Sequence, residues 1–242
     1  MPAQPSSLSF SQSALISGLQ SLALVDTKVP HKQFVATVGQ FIDFGGAFGL
    51  ADFLATLPRV SMKEGLDSGV INAKSIQLAY TVARDDGRAH IQERTSAYLS
   101  KVAGEAALEE PEQTAEASLK VHQRFYSLQQ SEMESRVLTL HRQICRQLTR
   151  YSPQLAQLVA LDNKLAEILA SHSRKAFGAI GHLMTKRFDE VLSRLPDATL
   201  DAETLSTFIA EMKMLLLAEL DIRLHPTLGL VEALIKEEEQ VA

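Results

Sequence analysis

The chain has 242 residues and a formal net charge of −5, with 45 % apolar residues, 22 % charged residues and a single cysteine. This length can bury a substantial core, the composition is that of ordinary soluble proteins, and one cysteine excludes an intramolecular disulfide framework. The first lysine is Lys28, so the N-terminus lacks the positive region of a secretory signal, and the most apolar run, 214–218, is too short to span a bilayer. We therefore expect a cytoplasmic protein.

Residues 1–103 are predicted to form an N-terminal helical region. A first helix over 13–25 places Leu15, Leu19 and Leu22 on one face. A second helix over 31–57 is predicted to bury Phe34, Val38, Phe41, Ile42, Phe48, Phe53 and Leu54, with a kink or junction at its paired glycines 45–46. A third is predicted over 72–102, and the glutamate-rich residues 104–118 are predicted to be a linker.

Residues 119–195 are predicted to form two long helices that are broken once. Ser152 suits an N-cap and Pro153 suits the first position of a new helix, whereas a proline inside a continuous helix costs about 3 kcal/mol. We predict a tight corner and an antiparallel helical hairpin, with a kinked continuous rod as the alternative. Steps of three and four residues predict that the first arm buries Val121, Phe125, Leu128, Val137, Leu140, Ile144, Leu148 and Tyr151.

Residues 196–242 are predicted to form a helical pair that packs on the hairpin. Asp201 can cap the first member, and His225-Pro226 is predicted to end it. The first member is apolar on more than one face, which favours a homo-oligomer or an obligate partner. Leu215, Leu216 and Leu220 are therefore predicted to contact such a partner. The predicted fold is all-α, a helical bundle built around the long antiparallel hairpin.

Chemical motifs are sparse. His141 and Cys145 lie four residues apart and could reach one metal ion, but zinc sites need three or four ligands and no second pair has matching spacing. The same two residues could form a nucleophile pair, yet nothing nearby supplies an oxyanion hole. The glycines near 45–49 lack the lysine of a phosphate loop. The sequence therefore predicts no catalytic, cofactor-binding or metal-binding residue, and a protein that is not an enzyme.

Charge is distributed unevenly along the chain. Residues 120–194 carry 12 basic and 6 acidic residues, whereas 195–242 carry 3 basic and 10 acidic residues. Arg142, Arg146 and Arg150 form a stripe along one helix face. Such a stripe could follow a phosphate backbone, or it could be a solvated face that pairs with the acidic end of the chain. Because the whole chain is acidic, nucleic-acid binding is the alternative and not the leading hypothesis.

Three stretches resemble a known protein family. They are Tyr151–Asp162, Lys186–Phe188 and the pair Leu216–Pro226 and Leu228–Leu234. Together they resemble an uncharacterised family of bacterial proteins known only as a domain of unknown function. The resemblance carries over no catalytic residue. It implies a gene neighbourhood with a membrane protein similar to the MotA/TolQ/ExbB proton channels and an OmpA-like protein, and hence a cytoplasmic accessory of an ion-driven envelope complex.

The leading hypothesis is a non-enzymatic helical scaffold or adaptor that binds itself, a protein partner or both. The partner implied by the resemblance is a membrane channel-like protein. The alternative hypothesis is nucleic-acid association through Arg142, Arg146 and Arg150.

Overall fold

The computed structural model describes residues 14–22, 44–57, 72–108, 115–194 and 201–241, and these form six α-helices with no strand among them. The helices are α1 (Ala14–Ser21), α2 (Phe44–Thr56), α3 (Ala73–Leu108), α4 (Ala115–Leu148), α5 (Pro153–Ser193) and α6 (Ala202–Val241). The predicted all-α fold is confirmed. None of these six helices holds an apolar stretch long enough to cross a membrane.

The last helix, α6, lies at the centre of the described bundle. It packs against α1, α3, α4 and α5. Its buried apolar side chains are Leu205, Phe208, Ile209, Met212, Leu215, Leu216, Ala218, Leu220, Leu224, Leu230, Val231 and Leu234. The apolar character of α6 on more than one face is thus explained by four neighbours from the same chain. The bundle is organised around α6, which corrects the expectation that the hairpin lies at its centre.

The predicted break at His225-Pro226 is wrong. The helix α6 continues through Pro226, so residues 202–241 are one helix and not a pair. Pro226 itself is exposed, whereas Leu230, Val231 and Leu234 in the following turns are buried. Packing of those turns compensates for the backbone hydrogen bond that the proline removes, because tertiary burial outweighs a local cost of about 3 kcal/mol.

The acidic end of α6 lies at the N-terminus of α3. Glu238 Oε1 accepts a hydrogen bond from the backbone N–H of Ala73 at 3.1 Å, and the side chain of Asn72 accepts one from Lys74 N at 2.8 Å. A carboxylate at the positive end of a helix dipole is stabilising. Burial, followed by Glu238, raises the pKa of Tyr151, which places this acidic end close to the turn between α4 and α5 as well.

The turn between α4 and α5 follows the predicted local chemistry. Pro153 is the first residue of α5, and the hydroxyl of Ser152 accepts a hydrogen bond from Leu155 N at 3.1 Å. The predicted cap at Asp201 is also confirmed, since its carboxylate accepts a hydrogen bond from Thr204 N at 2.6 Å. Capping residues of this kind satisfy backbone donors that the first turn of a helix leaves free.

The contacts between α4 and α5 are those of two helices packed antiparallel. Gln123 Nε2 donates to Thr185 Oγ1 at 2.7 Å near one end, and His141 Nε2 lies 3.1 Å from Asp162 Oδ2 near the other. Between them, Gln130 Nε2 donates to the carbonyl of Phe177 at 3.0 Å. Residue numbers on α5 fall as those on α4 rise.

The N-terminal half departs from the predictions in two places. Phe48 and Leu54 on α2 are 62 % and 46 % exposed, so their predicted place in the core is wrong. The physical reason is that α2 packs mainly on α5 and is covered on one side only. Helix also occupies much of the predicted linker, because α3 extends to Leu108 and α4 begins at Ala115. The predicted core residues Phe34, Val38, Phe41 and Ile42 lie outside the described residues.

Candidate functional site

The first half of α4 buries a different face from the one that its apolar pattern predicts. Val121 and Leu128 were predicted to be core residues, but each is 48 % exposed. The polar residues one position further along, His122 and Gln129, are buried instead. Their polar atoms have partners inside the bundle: Nδ1 of His122 lies 2.7 Å from the Tyr98 hydroxyl, and Gln129 Nε2 donates to a Glu132 carboxylate at 3.3 Å. This correction leaves two large apolar side chains on the outside of α4.

These apolar residues belong to an exposed row that runs along α4 and into the turn after it. We call this row the α4 seam. It consists of Val121, Arg124, Leu128, Ser131, Ser135, Leu138, Arg142, Arg146 and Arg150, and every member is exposed. Successive members are three or four residues apart, which is the spacing at which a second helix can pack along the first. At about 1.5 Å per residue the seam is roughly 40 Å long.

The α4 seam is basic as well as apolar. Its charged members are four arginines, and it contains no carboxylate. Within the described part of the chain, Arg142, Arg146 and Arg150 form no ion pair with an acidic side chain. Glu238, at the acidic end of α6, is hydrogen-bonded to the start of α3 and not to these arginines. The arginine stripe therefore faces solvent.

A second cluster of polar side chains joins α4, α5 and α6 near the α4–α5 turn. His141 and Cys145 lie one helical turn apart on α4, and Nε2 of His141 is 3.4 Å from Cys145 Sγ. Asp162 of α5 brings its Oδ2 to 3.1 Å from the same nitrogen. On the other side of the ring, Nδ1 of His141 lies 3.1 Å from the hydroxyl of Thr227 on α6, a residue that is almost fully buried.

The electrostatics of this cluster favour a charged imidazole. The neighbouring Asp162, followed by Cys145, raises the pKa of His141 to about 10, and burial acts in the opposite direction. Oδ2 of Asp162 is nevertheless buried and accepts no hydrogen bond, because it lies out of line with the His141 N–H. Among the described residues, His141, Cys145 and Asp162 are the group whose ligand atoms lie close enough together to hold one metal ion.

The comparisons with known proteins identify the family. The model of the family described as "Protein of unknown function (DUF3348)" matches residues 1–236. The chain belongs to this family. A search of curated proteins and a search of solved structures gave no match. The resemblance to a domain of unknown function is thereby confirmed. The implied gene neighbours, a membrane protein similar to the MotA/TolQ/ExbB proton channels and an OmpA-like protein, stay a prediction.

The chain also has a cavity of about 330 Å³ between α3 and α4. Its lining includes Leu220 and Leu224 of α6, Met133 and Leu140 of α4, and Gly87 of α3. Most of its lining is apolar, which suits the burial of an apolar side chain or small apolar group.

The structure separates the predicted site residues into two sets. Arg142, Arg146 and Arg150 are exposed along the α4 seam, as a binding stripe requires. Leu215 and Leu216 are 0 % exposed and Leu220 is 3 % exposed, so they are core residues, and the prediction that they contact a partner is corrected. The side chains that would have touched another molecule are covered by the other helices of this chain.

Two residues of the histidine cluster were not predicted from the sequence. Asp162 and Thr227 lie far from His141 in sequence, and neither belongs to a recognisable motif. Asp162 could have been identified as a partner of His141 from the predicted hairpin, because folding the chain about Ser152 brings these two residues opposite each other. Thr227 could not, because the predicted break at Pro226 placed it at the start of a separate helix.

Proposed function

We propose that this protein is a non-enzymatic helical scaffold whose α4 seam binds an acidic amphipathic helix of a protein partner. One observation carries the proposal: Val121 and Leu128 face solvent while the polar residues beside them, His122 and Gln129, are buried. A fold that exposes apolar side chains and buries polar ones departs from the usual arrangement, and such departures concentrate at functional surfaces.

The apolar members of the α4 seam supply the contact area. Val121, Leu128 and Leu138 are between 42 % and 48 % exposed. Their side chains lie on one line with the arginines, so a helix laid along the seam would cover all of them. A contact roughly 40 Å long is compatible with the roughly 800 Å² per partner that a stable protein interface buries.

The charge of the α4 seam selects the partner. Arg124, Arg142, Arg146 and Arg150 would each approach a position on the partner helix, and a carboxylate there would complement the arginine. A second copy of the chain fits less well, because an antiparallel pair that overlaps the whole seam would bring Arg146 close to Arg124 of the other copy. A nucleic acid also fits less well, since a phosphate backbone offers nothing to Val121, Leu128 or Leu138.

The proposal is tested by site-specific photo-crosslinking in the native host. A photoreactive phenylalanine analogue replaces Leu128 in the seam, and in a matched control it replaces Ala89, which is exposed on α3. We expect a discrete protein adduct from position 128 only. Mass spectrometry should show that the crosslinked peptide is an amphipathic helix with acidic residues at three- and four-residue spacing. Mild detergent during recovery retains a membrane partner of the kind implied by the resemblance.

Charge reversal provides the second arm of the experiment. The triple variant Arg142→Glu/Arg146→Glu/Arg150→Glu should abolish the adduct. The variant Arg174→Glu/Lys175→Glu/Lys186→Glu changes net charge equally but alters exposed residues of α5, and it should retain the adduct. An adduct that disappears with nuclease, that contains a second copy of this chain, or that survives the seam reversal would contradict the proposal.

A further inference from the structure

The cluster of His141, Cys145 and Asp162 contains an ion pair between the imidazole and the carboxylate, but it does not have the arrangement of a catalytic triad. In a nucleophile triad the two nitrogens of the imidazole have different partners, the nucleophile on one and the orienting carboxylate on the other. Here Cys145 Sγ and Asp162 Oδ2 both approach Nε2, at 3.4 Å and 3.1 Å. The opposite nitrogen, Nδ1, has the Thr227 hydroxyl at 3.1 Å. A thiol, an imidazole nitrogen and a carboxylate oxygen thus converge on one point.

We propose that His141 Nε2, Cys145 Sγ and Asp162 Oδ2 bind one divalent transition-metal ion of the zinc class. Ligands of a tetrahedral zinc ion at about 2.0–2.3 Å are separated from each other by about 3.3–3.6 Å. The two separations at Nε2 are close to these edge lengths, and all three ligand atoms lie within 4.8 Å of one another. Small side-chain adjustments would therefore complete the coordination.

Two further observations point to a ligand at this place. Asp162 Oδ2 is the one buried side-chain nitrogen or oxygen without a hydrogen-bond partner in the described part of the chain. Its 3.1 Å contact with His141 Nε2 is an ion pair without the alignment of a hydrogen bond, and a metal ion between the two groups would coordinate this oxygen directly. Thr227 supplies the other observation, because metal-binding histidines usually donate their second N–H to a polar neighbour that fixes the ring. Its hydroxyl is placed to accept that hydrogen bond from Nδ1.

The donor set defines the class of metal. A thiolate together with an imidazole favours zinc or a similar borderline ion over magnesium or calcium, which prefer oxygen ligands alone. Three protein ligands leave a fourth position for water or for a group from another molecule. Because His141 and Cys145 lie on α4 and Asp162 lies on α5, the ion would fasten these two helices together beside their turn.

Cobalt substitution of the purified full-length protein tests the site directly. Co²⁺ replaces zinc in tetrahedral sites, and a cysteine ligand gives a sulfur-to-cobalt charge-transfer absorption. We expect this band to saturate at one cobalt per chain and to be displaced by Zn²⁺. Zinc should also raise the Tm, since binding to the folded state alone stabilises it. Absence of the band from the wild-type protein would overturn the proposal, and this measurement does not depend on any variant folding.

Variants assign the ligands. Cys145→Ser should remove the band, Asp162→Asn should weaken binding at least about tenfold, and Thr227→Val should weaken it by about 10- to 100-fold through the histidine. His182→Gln, which alters an exposed histidine elsewhere on α5, is the matched control and should bind as the wild type does. Circular dichroism without metal confirms that each variant is folded. Unchanged zinc affinity in both Cys145→Ser and Asp162→Asn, or equal weakening in His182→Gln, would show adventitious binding only.

Discussion

Glu219 is a buried carboxylate whose charge is compensated by the side chains around it. Its side chain is 0 % exposed, and Arg223 donates to Oε1 at 2.8 Å and 2.9 Å. Gln130 donates to the same carboxylate at 3.0 Å, and the hydroxyl of Tyr126 is 3.3 Å away. The Arg223 guanidinium also lies 3.8 Å above the ring of Phe177. Through Gln130 and Tyr126 this carboxylate joins α6 to α4, and through Phe177 its partner Arg223 also contacts α5, so the group links three helices.

Removing the cation from this group should be strongly destabilising. Arg223→Met leaves the Glu219 carboxylate buried without its counter-ion, and we expect the free energy of unfolding to fall by about 3–5 kcal/mol. Arg88→Met, which breaks a half-exposed pair with Asp221, should cost about 1 kcal/mol or less. Urea denaturation measures both. Two results would show that the unpaired Glu219 carboxylate is not the cause of the destabilisation. One is an equal loss of stability in Arg223→Met and Arg88→Met, and the other is no recovery of stability when Glu219→Leu is added to Arg223→Met.

His122 should make stability depend on pH. Burial lowers the pKa of His122 to about 4, from 6.5 for an exposed histidine, and its ring packs against the aromatic rings of Phe188 and Phe208. Between these two values the unfolded chain binds the proton more readily than the folded chain. The contribution of neutral His122 to the free energy of unfolding is therefore complete above about pH 6.5 and is lost as the pH falls towards 4. It amounts to at most about 3 kcal/mol.

The measurement is urea denaturation of wild type and His122→Gln between pH 4 and pH 7. The slope of stability against pH should be smaller in the variant, whatever its absolute stability. Other carboxylates and histidines titrate equally in both proteins, so they cancel in the difference. Parallel slopes would mean that the pKa of His122 is the same in the folded and the unfolded protein.

At the scale of single residues, the sequence predicted those features that depend on near neighbours. The caps at Ser152 and Asp201 follow from local backbone chemistry and were found. The partners of Glu219 and His141 lie on other helices and are set by helix register, which apolar spacing fixes only roughly. Buried polar residues such as Gln129 were missed because a polar residue in the core cannot be told from a surface residue without its partners.

At the scale of helices, prediction succeeded where one apolar face dominates and failed where two faces compete. In the second half of α4, Leu140, Ile144 and Leu148 were predicted to be buried, and they are. The first half of α4 offers an apolar row and a mixed row side by side, and the fold buries the mixed row containing His122 and Tyr126. Contacts with α3 and α6 determine which row is buried. These contacts cannot be inferred from the spacing of apolar residues within α4.

Gly87 illustrates how packing replaces local preference within a helix. Glycine weakens a helix, yet α3 runs through Gly87 without a break. A Cβ atom at this position would lie 3.1 Å from Cδ2 of Leu220, closer than ordinary van der Waals contact. Gly87 therefore allows α3 to approach the central helix closely. At Gly178 on α5, a Cβ atom would meet no neighbouring atom of the described residues within 4 Å, so this glycine serves no such purpose.

This contrast predicts opposite effects from the same substitution. Gly178→Ala should stabilise the protein by about 1 kcal/mol, because alanine favours the helix and meets no neighbour. Gly87→Ala gains the same helix propensity but crowds the buried Leu220. We therefore expect the free energy of unfolding to fall by up to about 2 kcal/mol. Differential scanning calorimetry of both variants measures the difference. A rise in Tm for Gly87→Ala matching that of Gly178→Ala would mean that α3 is not held close to α6.

For the whole molecule, the function depends on which apolar side chains are buried within the chain and which are exposed to bind a partner. The sequence predicted that Leu215, Leu216 and Leu220 contact a partner, since their helix is apolar on more than one face. The structure covers them with the other helices packed around α6 and exposes Leu128 instead. Composition and periodicity reveal how much apolar surface must be covered, but they do not reveal whether the same chain or another one covers it.

Two matched substitutions separate these roles. Leu215→Asp buries an unpaired carboxylate at a position with 0 % exposure, a cost of several kcal/mol against a total stability of about 5–15 kcal/mol, so we expect an unfolded chain. Leu128→Asp changes an exposed residue and should alter stability by about 0.5 kcal/mol or less. Circular dichroism and light scattering report folding and mass. A Leu215→Asp protein that stays helical but halves in mass would place Leu215 at a subunit boundary, and then α6 would be shared between chains and not the core of one.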